Sequence, residues 1–88
     1  YVLSNRGRRV LYTGVTRDLR RRVAKHRAGI GSYFTRCYRV WHLVWFEVHE
    51  SPVSAITREK QIKAGSRRRK VALIQAMNPE WRDLWLEL

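Results

Sequence analysis

The chain has 88 residues, 44% of them apolar, with 19 Lys and Arg against seven Asp and Glu, a formal charge of +12. That length fits one modest core and excludes a second domain, and no stretch approaches the roughly 20 apolar residues of a membrane span. Such a charge points to a polyanionic partner, and the excess of arginine over lysine suits bidentate contacts to phosphate.

One domain is expected over residues 1–88, of α/β composition and α+β type. A single cysteine, Cys37, permits no internal disulfide, and one Cys with three His offers no zinc-site spacing. A reducing, cytoplasmic setting is the expectation, and no secretory signal is visible.

Tyr1 to Leu3 and Val10 to Tyr12 are short β-rich runs, separated by Asn5-Arg6-Gly7, which tolerates the positive φ of a hairpin loop. Thr13-Gly14 leads into a basic helix predicted from about Arg17 to Arg27. Thr16 is its expected cap, Asp18 is favourable in its first turn, Leu19 and Val23 form a narrow apolar stripe, and Gly29 stops it. Residues 28–39 contain Gly29, Gly31, Ser32 and three aromatics, and read as a loop ordered by its own side chains.

Val40 to Val48 is apolar on both alternating faces and predicts the central buried strand. Ser51-Pro52 places a cap before a first-turn proline and opens a helix to about Ala64, ended by Gly65. A further helix is predicted from about Ser66 to Met77. Asn78-Pro79 repeats the cap-then-proline pattern and predicts a last turn through Trp81, Leu84 and Trp85, in an acidic tail packed away from the polyanion.

Glu59 carries the sharpest chemical signal. On a helix from Pro52 to Ala64 it falls on the arc of Ala55 and Ile62, where a core residue belongs. A carboxylate there must be paired, protonated or bound to a cation, because burying it bare costs several kcal/mol. A salt bridge to an arginine and a divalent-metal site are both open. On the basic helix, Arg22 lies three residues from Leu19 and His26 four residues further on, so both share a face that reaches towards Tyr12. Each alone reads as a solvated surface residue.

Taken together, Tyr1, Tyr12-Thr13-Gly14, Asp18-Leu19 leading to Arg22 and His26, Arg58-Glu59-Lys60 and Asn78-Pro79-Glu80-Trp81 resemble the GIY-YIG nuclease family. The likeness is to its small stand-alone members, similar to the N-terminal part of the DNA-repair excinuclease, and it spans nearly the whole chain. Thr13 stands where the second motif usually has isoleucine, and the residues expected before Tyr1 precede the chain.

The resemblance implies a small three-stranded antiparallel sheet flanked by helices, and a metal-dependent DNA endonuclease acting in DNA repair or processing. It implies a catalytic set of Tyr1, Tyr12, Arg22, His26, Glu59 and Asn78. Glu59 would hold one ion, Mg²⁺ or Mn²⁺, and Arg22 would meet the scissile phosphate. Tyr1, Tyr12 or His26 would take the proton from water; a tyrosine can do so at neutral pH only if neighbouring cations stabilise its phenolate.

Nucleic acid, most simply DNA, would be held by Arg20, Arg21, Lys25, Arg27 and the run Arg67, Arg68, Arg69 and Lys70, with Tyr33, Phe34 and Tyr38 available for stacking. The arginine run reads equally well as a solvated helix start. A surface this small has little room to read bases, so structure-selective or nonspecific cleavage is expected. The competing class is a basic domain that binds nucleic acid on the same fold without cutting it. An interaction module built on the four tryptophans is a third possibility, although their spacing suits a core.

Overall fold

A computed structural model describes residues 1–88. Its sheet has three strands, β1 (Val2–Ser4), β2 (Leu11–Thr13) and β3 (His42–Trp45), in the order β2-β1-β3 and antiparallel throughout. The α+β arrangement and the three-stranded sheet are as expected. The central strand is not: β1 lies in the middle and β3 at an edge. β3 is apolar on both faces because helices cover both sides of the sheet, so burial alone does not locate a strand within it. It is also shorter than Val40–Val48, since its ladder extends no further than the three-residue β1 it pairs with.

In the hairpin, Leu3 faces Tyr12 and Val2 faces Thr13. The Asn5 side chain accepts from the backbone N–H groups of Arg9 and Val10 at 2.8 and 3.1 Å and so closes the connection. Alternation then sorts the strands. Leu3 and Leu43 join Tyr1, Val23, Val40 and Leu84 on one face, while Val2, Val44 and Trp45 pack with Ile62 and Ile74 on the other. A bulge in the β1–β3 ladder, where Val2 pairs with Trp45 and Leu3 with Leu43, puts both Val44 and Trp45 into the second cluster. Leu3 is fully buried between the helices and strands it joins, and its truncation to Ala is expected to cost about 2–5 kcal/mol.

The basic helix α1 spans Leu19–Arg27 and starts two residues later than the sequence suggested. Asp18 rather than Thr16 is the cap, accepting from Arg21 N at 3.1 Å, because its carboxylate is the stronger acceptor and Thr16 is used in the preceding turn. Residues 28–39 are not merely a loop. Ser32 caps a short helix, α2 (Tyr33–Cys37), and Val40 N returns to Thr35 O at 2.9 Å. One helical turn carried by a serine cap has too short a period to show in sequence.

Helix α3 (Pro52–Ala64) and helix α4 (Arg67–Met77) lie where expected, capped by Ser51 and Ser66. Asn78 opens a short turn through Pro79 and Glu80, closed by Trp81 N donating to Asn78 O at 3.0 Å, but no helix follows directly from it. Asn78 also ends α4, giving its side-chain N–H groups to Val44 O and Arg82 O at 3.2 and 2.8 Å and accepting from Arg82 N at 3.0 Å. Asp83 instead caps a closing 3-10 turn, Leu84–Glu87. No helix is long and apolar enough to cross a membrane.

Candidate active site

The α1 face of the sheet carries Tyr1 and Tyr12. Tyr1 sits two residues before Leu3, whose partner is Tyr12, so the two rings are diagonal neighbours with centroids 6.3 Å apart. The strand ends are stitched at this point: Tyr1 N donates to Gly14 O and Gly14 N to Tyr1 O, both at 2.9 Å. Gly14 has to be glycine. A Cβ there would lie 2.5 Å from the Tyr1 hydroxyl and ring carbon Cζ.

Helical spacing divides the basic residues of α1 among three environments. Arg22 and His26, four apart, turn towards the tyrosines; Arg21 and Lys25, also four apart, face solvent; Arg20 and Arg27, seven apart, turn towards the C-terminal tail. There Arg27 pairs with Asp83 at 2.6 Å, Arg20 donates to Leu88 O at 2.9 Å, and both guanidinium groups lie over the Trp85 ring. These two arginines, expected to hold DNA, are exposed and also make these contacts within the chain. Arg67 does the same, clamping the hairpin by donating to Arg8 O and Arg9 O at 2.8 and 2.7 Å. Arg21, Lys25, Arg68 and Arg69 stay exposed, and Lys70 is partly covered.

Around Tyr1 the hydrogen bonds run in one direction. Arg22 Nε can only donate, and it points at the Tyr1 oxygen at 3.4 Å. The phenolic hydrogen then goes to His26 Nε2, 3.0 Å away. At the other end, Thr35 Oγ1 gives its single hydrogen to Ser32 O at 3.0 Å and so accepts from His26 Nδ1 at 2.9 Å. The Thr35 end selects the tautomer with hydrogen on Nδ1 and a lone pair on Nε2 facing the phenol, and the Arg22 bond to the phenolic oxygen is compatible with it. Gly31 lets this loop close on the imidazole, since a Cβ at Gly31 would overlap the His26 ring.

His26 is buried, and burial, reinforced by the Arg22 charge, lowers its pKa from 6.5 to about 4. It is a neutral acceptor at neutral pH. Tyr1 departs from the expectation of a cation-stabilised phenolate: burial raises its pKa above the ordinary value, and the bond from Arg22 offsets this only in part. Arg22 is held above its own ordinary value, chiefly by that bond to Tyr1. Tyr12 lies against His26, centroids 5.4 Å apart, outside the Tyr1–His26–Thr35 chain of hydrogen bonds.

Beside Tyr1 opens a cleft of about 360 Å³ whose walls include Gly14, Arg17, Glu47, Arg58 and Glu59. Glu59 stands on the half-buried face of α3, its side chain 12% exposed, paired at 2.7 Å with the more exposed Lys63 rather than with an arginine. No group of three or more His, Cys, Asp or Glu side chains is placed to cage a metal. A nearly covered carboxylate in an open cleft, with Glu47 the other acid in its walls, fits a hard cation that keeps most of its waters, as Mg²⁺ does. It does not fit zinc, which takes three or four protein ligands.

The structure thus gathers Tyr1, Tyr12, Arg22 and His26 in one place, with Glu59 across the cleft. Asn78 is not among the cleft residues; all three of its side-chain hydrogen bonds go to backbone. Thr35 and Arg17 escaped the sequence reading. The spacing of Ser32 and Thr35 was a visible capping signal, but nothing in it indicated contact with His26.

A β-hairpin thus feeds a basic helix, with two tyrosines under that helix and a carboxylate across a cleft. The sequence model of the GIY-YIG catalytic domain matches residues 1–72, and the chain belongs to the GIY-YIG family of nucleases, whose substrates are nucleic acids. Similar proteins include a UPF0213 protein of Staphylococcus aureus strain Mu3, UPF0213 protein SAV0488 of strain Mu50 and UPF0213 protein SA0446 of strain N315. Each is 42% identical to this chain over 65 residues, covering 74% of it and 79% of the relative. No solved structure matches the chain.

Proposed function

We propose that the chain is a divalent-metal-dependent DNA endonuclease, active in DNA repair or processing. The observation that carries this reading is the Tyr1 hydroxyl held between a guanidinium donor and a neutral histidine acceptor, at the edge of the cleft that contains Glu59.

Phosphodiester hydrolysis needs a proton removed from the attacking water, charge offset on the phosphoryl oxygens, and help for the departing 3′ oxygen. Tyr1 takes the water's proton as its own passes to His26 Nε2, so no isolated phenolate has to form in a site that disfavours one. The imidazole bears the positive charge only transiently, since Arg22 and burial both oppose it. Arg22 donates to the Tyr1 oxygen before reaction and can turn a guanidinium N–H to a phosphoryl oxygen. One Mg²⁺ or Mn²⁺ held by Glu59 would supply charge stabilisation at the phosphate and its leaving oxygen. Lys63, whose side chain is exposed, would give up its pairing with Glu59 where the carboxylate holds an ion. Arg21 and Lys25 contact flanking phosphates.

The test is nicking of supercoiled plasmid with Mg²⁺ or Mn²⁺ against an EDTA control, for the native chain and for Glu59→Gln. Metal-dependent nicking by the native chain, lost in Glu59→Gln at nearly unchanged DNA affinity, is the expected result. Equal nicking by both would end the reading. Binding without nicking by either would leave a nucleic-acid-binding domain on the same fold.

A further inference from the structure

We propose that the rings of Phe34 and Tyr38 form a stacking platform for unpaired bases, so that the site favours single-stranded DNA over intact duplex. The inference rests on the nuclease reading for the position of the scissile phosphate, but the platform itself is read from separate residues.

The rings form a continuous row. Tyr1 neighbours Tyr12; Tyr12 lies nearly parallel to Phe34, with centroids 6.0 Å apart and an angle of 28°; Phe34 meets Tyr38 at 4.8 Å. Exposure rises outward along it, from 9% at Tyr1 to 40% at Phe34 and 55% at Tyr38. A core cluster would show no such gradient. Tyr33, on the same helix, is 74% exposed and lies under the Arg36 guanidinium.

Four large apolar side chains, Ile30, Tyr33, Phe34 and Tyr38, thus stand open to solvent within nine residues of chain. The cost of exposing them calls for an occupant. Its chemistry follows from charge: between Asp18 and Glu47 there is no acidic residue, while Arg36 and Arg39 flank the rings and Arg21, Arg22 and Lys25 stand on the neighbouring helix. An apolar protein or lipid surface would not call for that one-signed setting. A strand with phosphates on one side and flat bases on the other does, and groove-and-ring surfaces of this kind bind single strands.

Duplex fits the platform poorly. Its bases are already stacked on both faces, and presenting one to Phe34 requires unstacking and unpairing. An unpaired base avoids that cost, and stacking it two rings from Tyr1 would bring the adjacent phosphate to Arg22.

The test measures binding in EDTA, where no cleavage occurs, using fluorescence anisotropy at about 50 mM salt. The probes are a labelled single strand of about 12 nucleotides and a blunt-ended, fully paired duplex of the same sequence. The native chain is expected to bind the single strand more tightly. The double variant Phe34→Leu, Tyr38→Leu keeps apolar contacts but no rings, and is expected to lose about tenfold or more on the single strand and under about threefold on the duplex. Phe34→Tyr should bind as the native chain does.

Equal native affinity for the two probes, or equal losses on both, overturns the proposal. Because no step in this assay is catalytic, ring-dependent binding by a chain that nicks nothing would uphold the platform while refuting the nuclease reading.

Discussion

The Tyr1 hydroxyl lies 3.0 Å from His26 Nε2, joining the first residue of the hairpin to the second turn of α1. Two hydroxyl groups of opposite polarity meet the imidazole: the phenol donates to one nitrogen, and the Thr35 oxygen accepts from the other. In the proposed mechanism this contact makes Tyr1, rather than Tyr12, the base. Tyr1→Phe is expected to lower kcat by about 10²–10⁴ with the fold intact, while Tyr12→Phe, which leaves the Tyr1–His26 bond in place, has the smaller effect. Single-turnover cleavage of a labelled oligonucleotide checks both, and a larger loss at Tyr12 would reverse the assignment.

The lowered His26 pKa has a consequence for stability. The unfolded chain takes up a proton near pH 6.5, whereas the folded one resists until about pH 4. The stability contributed by neutral His26 is therefore present above pH 6.5 and is lost as pH falls through the interval to 4. That loss is on the order of 3 kcal/mol. Urea unfolding at several pH values should show it, and His26→Gln should flatten the same interval. Cleavage should likewise decline on the acid side as His26 becomes protonated.

Thr35 acts through His26 and touches no substrate in the proposed mechanism. Thr35→Val keeps the shape and removes the acceptor, leaving the buried Nδ1–H unpaired at a cost of about 1–3 kcal/mol. Nitrogen NMR of the His26 ring should show the Nε2–H tautomer gaining population, with kcat falling and KM little changed. Thr35→Ser should restore both. An unchanged tautomer in the valine variant would remove Thr35 from the relay.

Gly14→Ala drives a methyl group into the Tyr1 ring. Overpacking of this kind costs about 1–3 kcal/mol, and here the displaced group is the reacting hydroxyl. Thermal unfolding is expected to report the modest loss, while cleavage falls as far as in Tyr1→Phe.

The arginines of α1 separate by their partners. Arg21→Ala and Lys25→Ala are each expected to weaken DNA binding and to reduce the salt slope by about one counterion-release unit. Arg27→Ala breaks the ion pair with Asp83 and the contact with Trp85, and should lower stability by about 1 kcal/mol with the salt slope intact. Salt titrations of duplex affinity, run beside thermal melts, distinguish the two kinds.

Local chemistry made much of the molecule legible in advance. Ser51-Pro52, Ser66, the Asn5 turn and the α1 periodicity act over a few residues, and the elements they mark stand within one or two positions of where the sequence placed them. The charge of the chain and the arc occupied by Glu59 were readable for the same reason. What depends on packing was not. The order of the strands follows from long-range pairing of β1 with both β2 and β3, a property of no single strand. The acid that pairs with Arg27 lies 56 residues away, and the acceptor that fixes the His26 tautomer sits on a one-turn helix. Above all, the choice of Tyr1 over Tyr12 as the partner of His26 rests on a 3.0 Å contact between residues 25 positions apart, and distance in space is what sequence spacing does not encode.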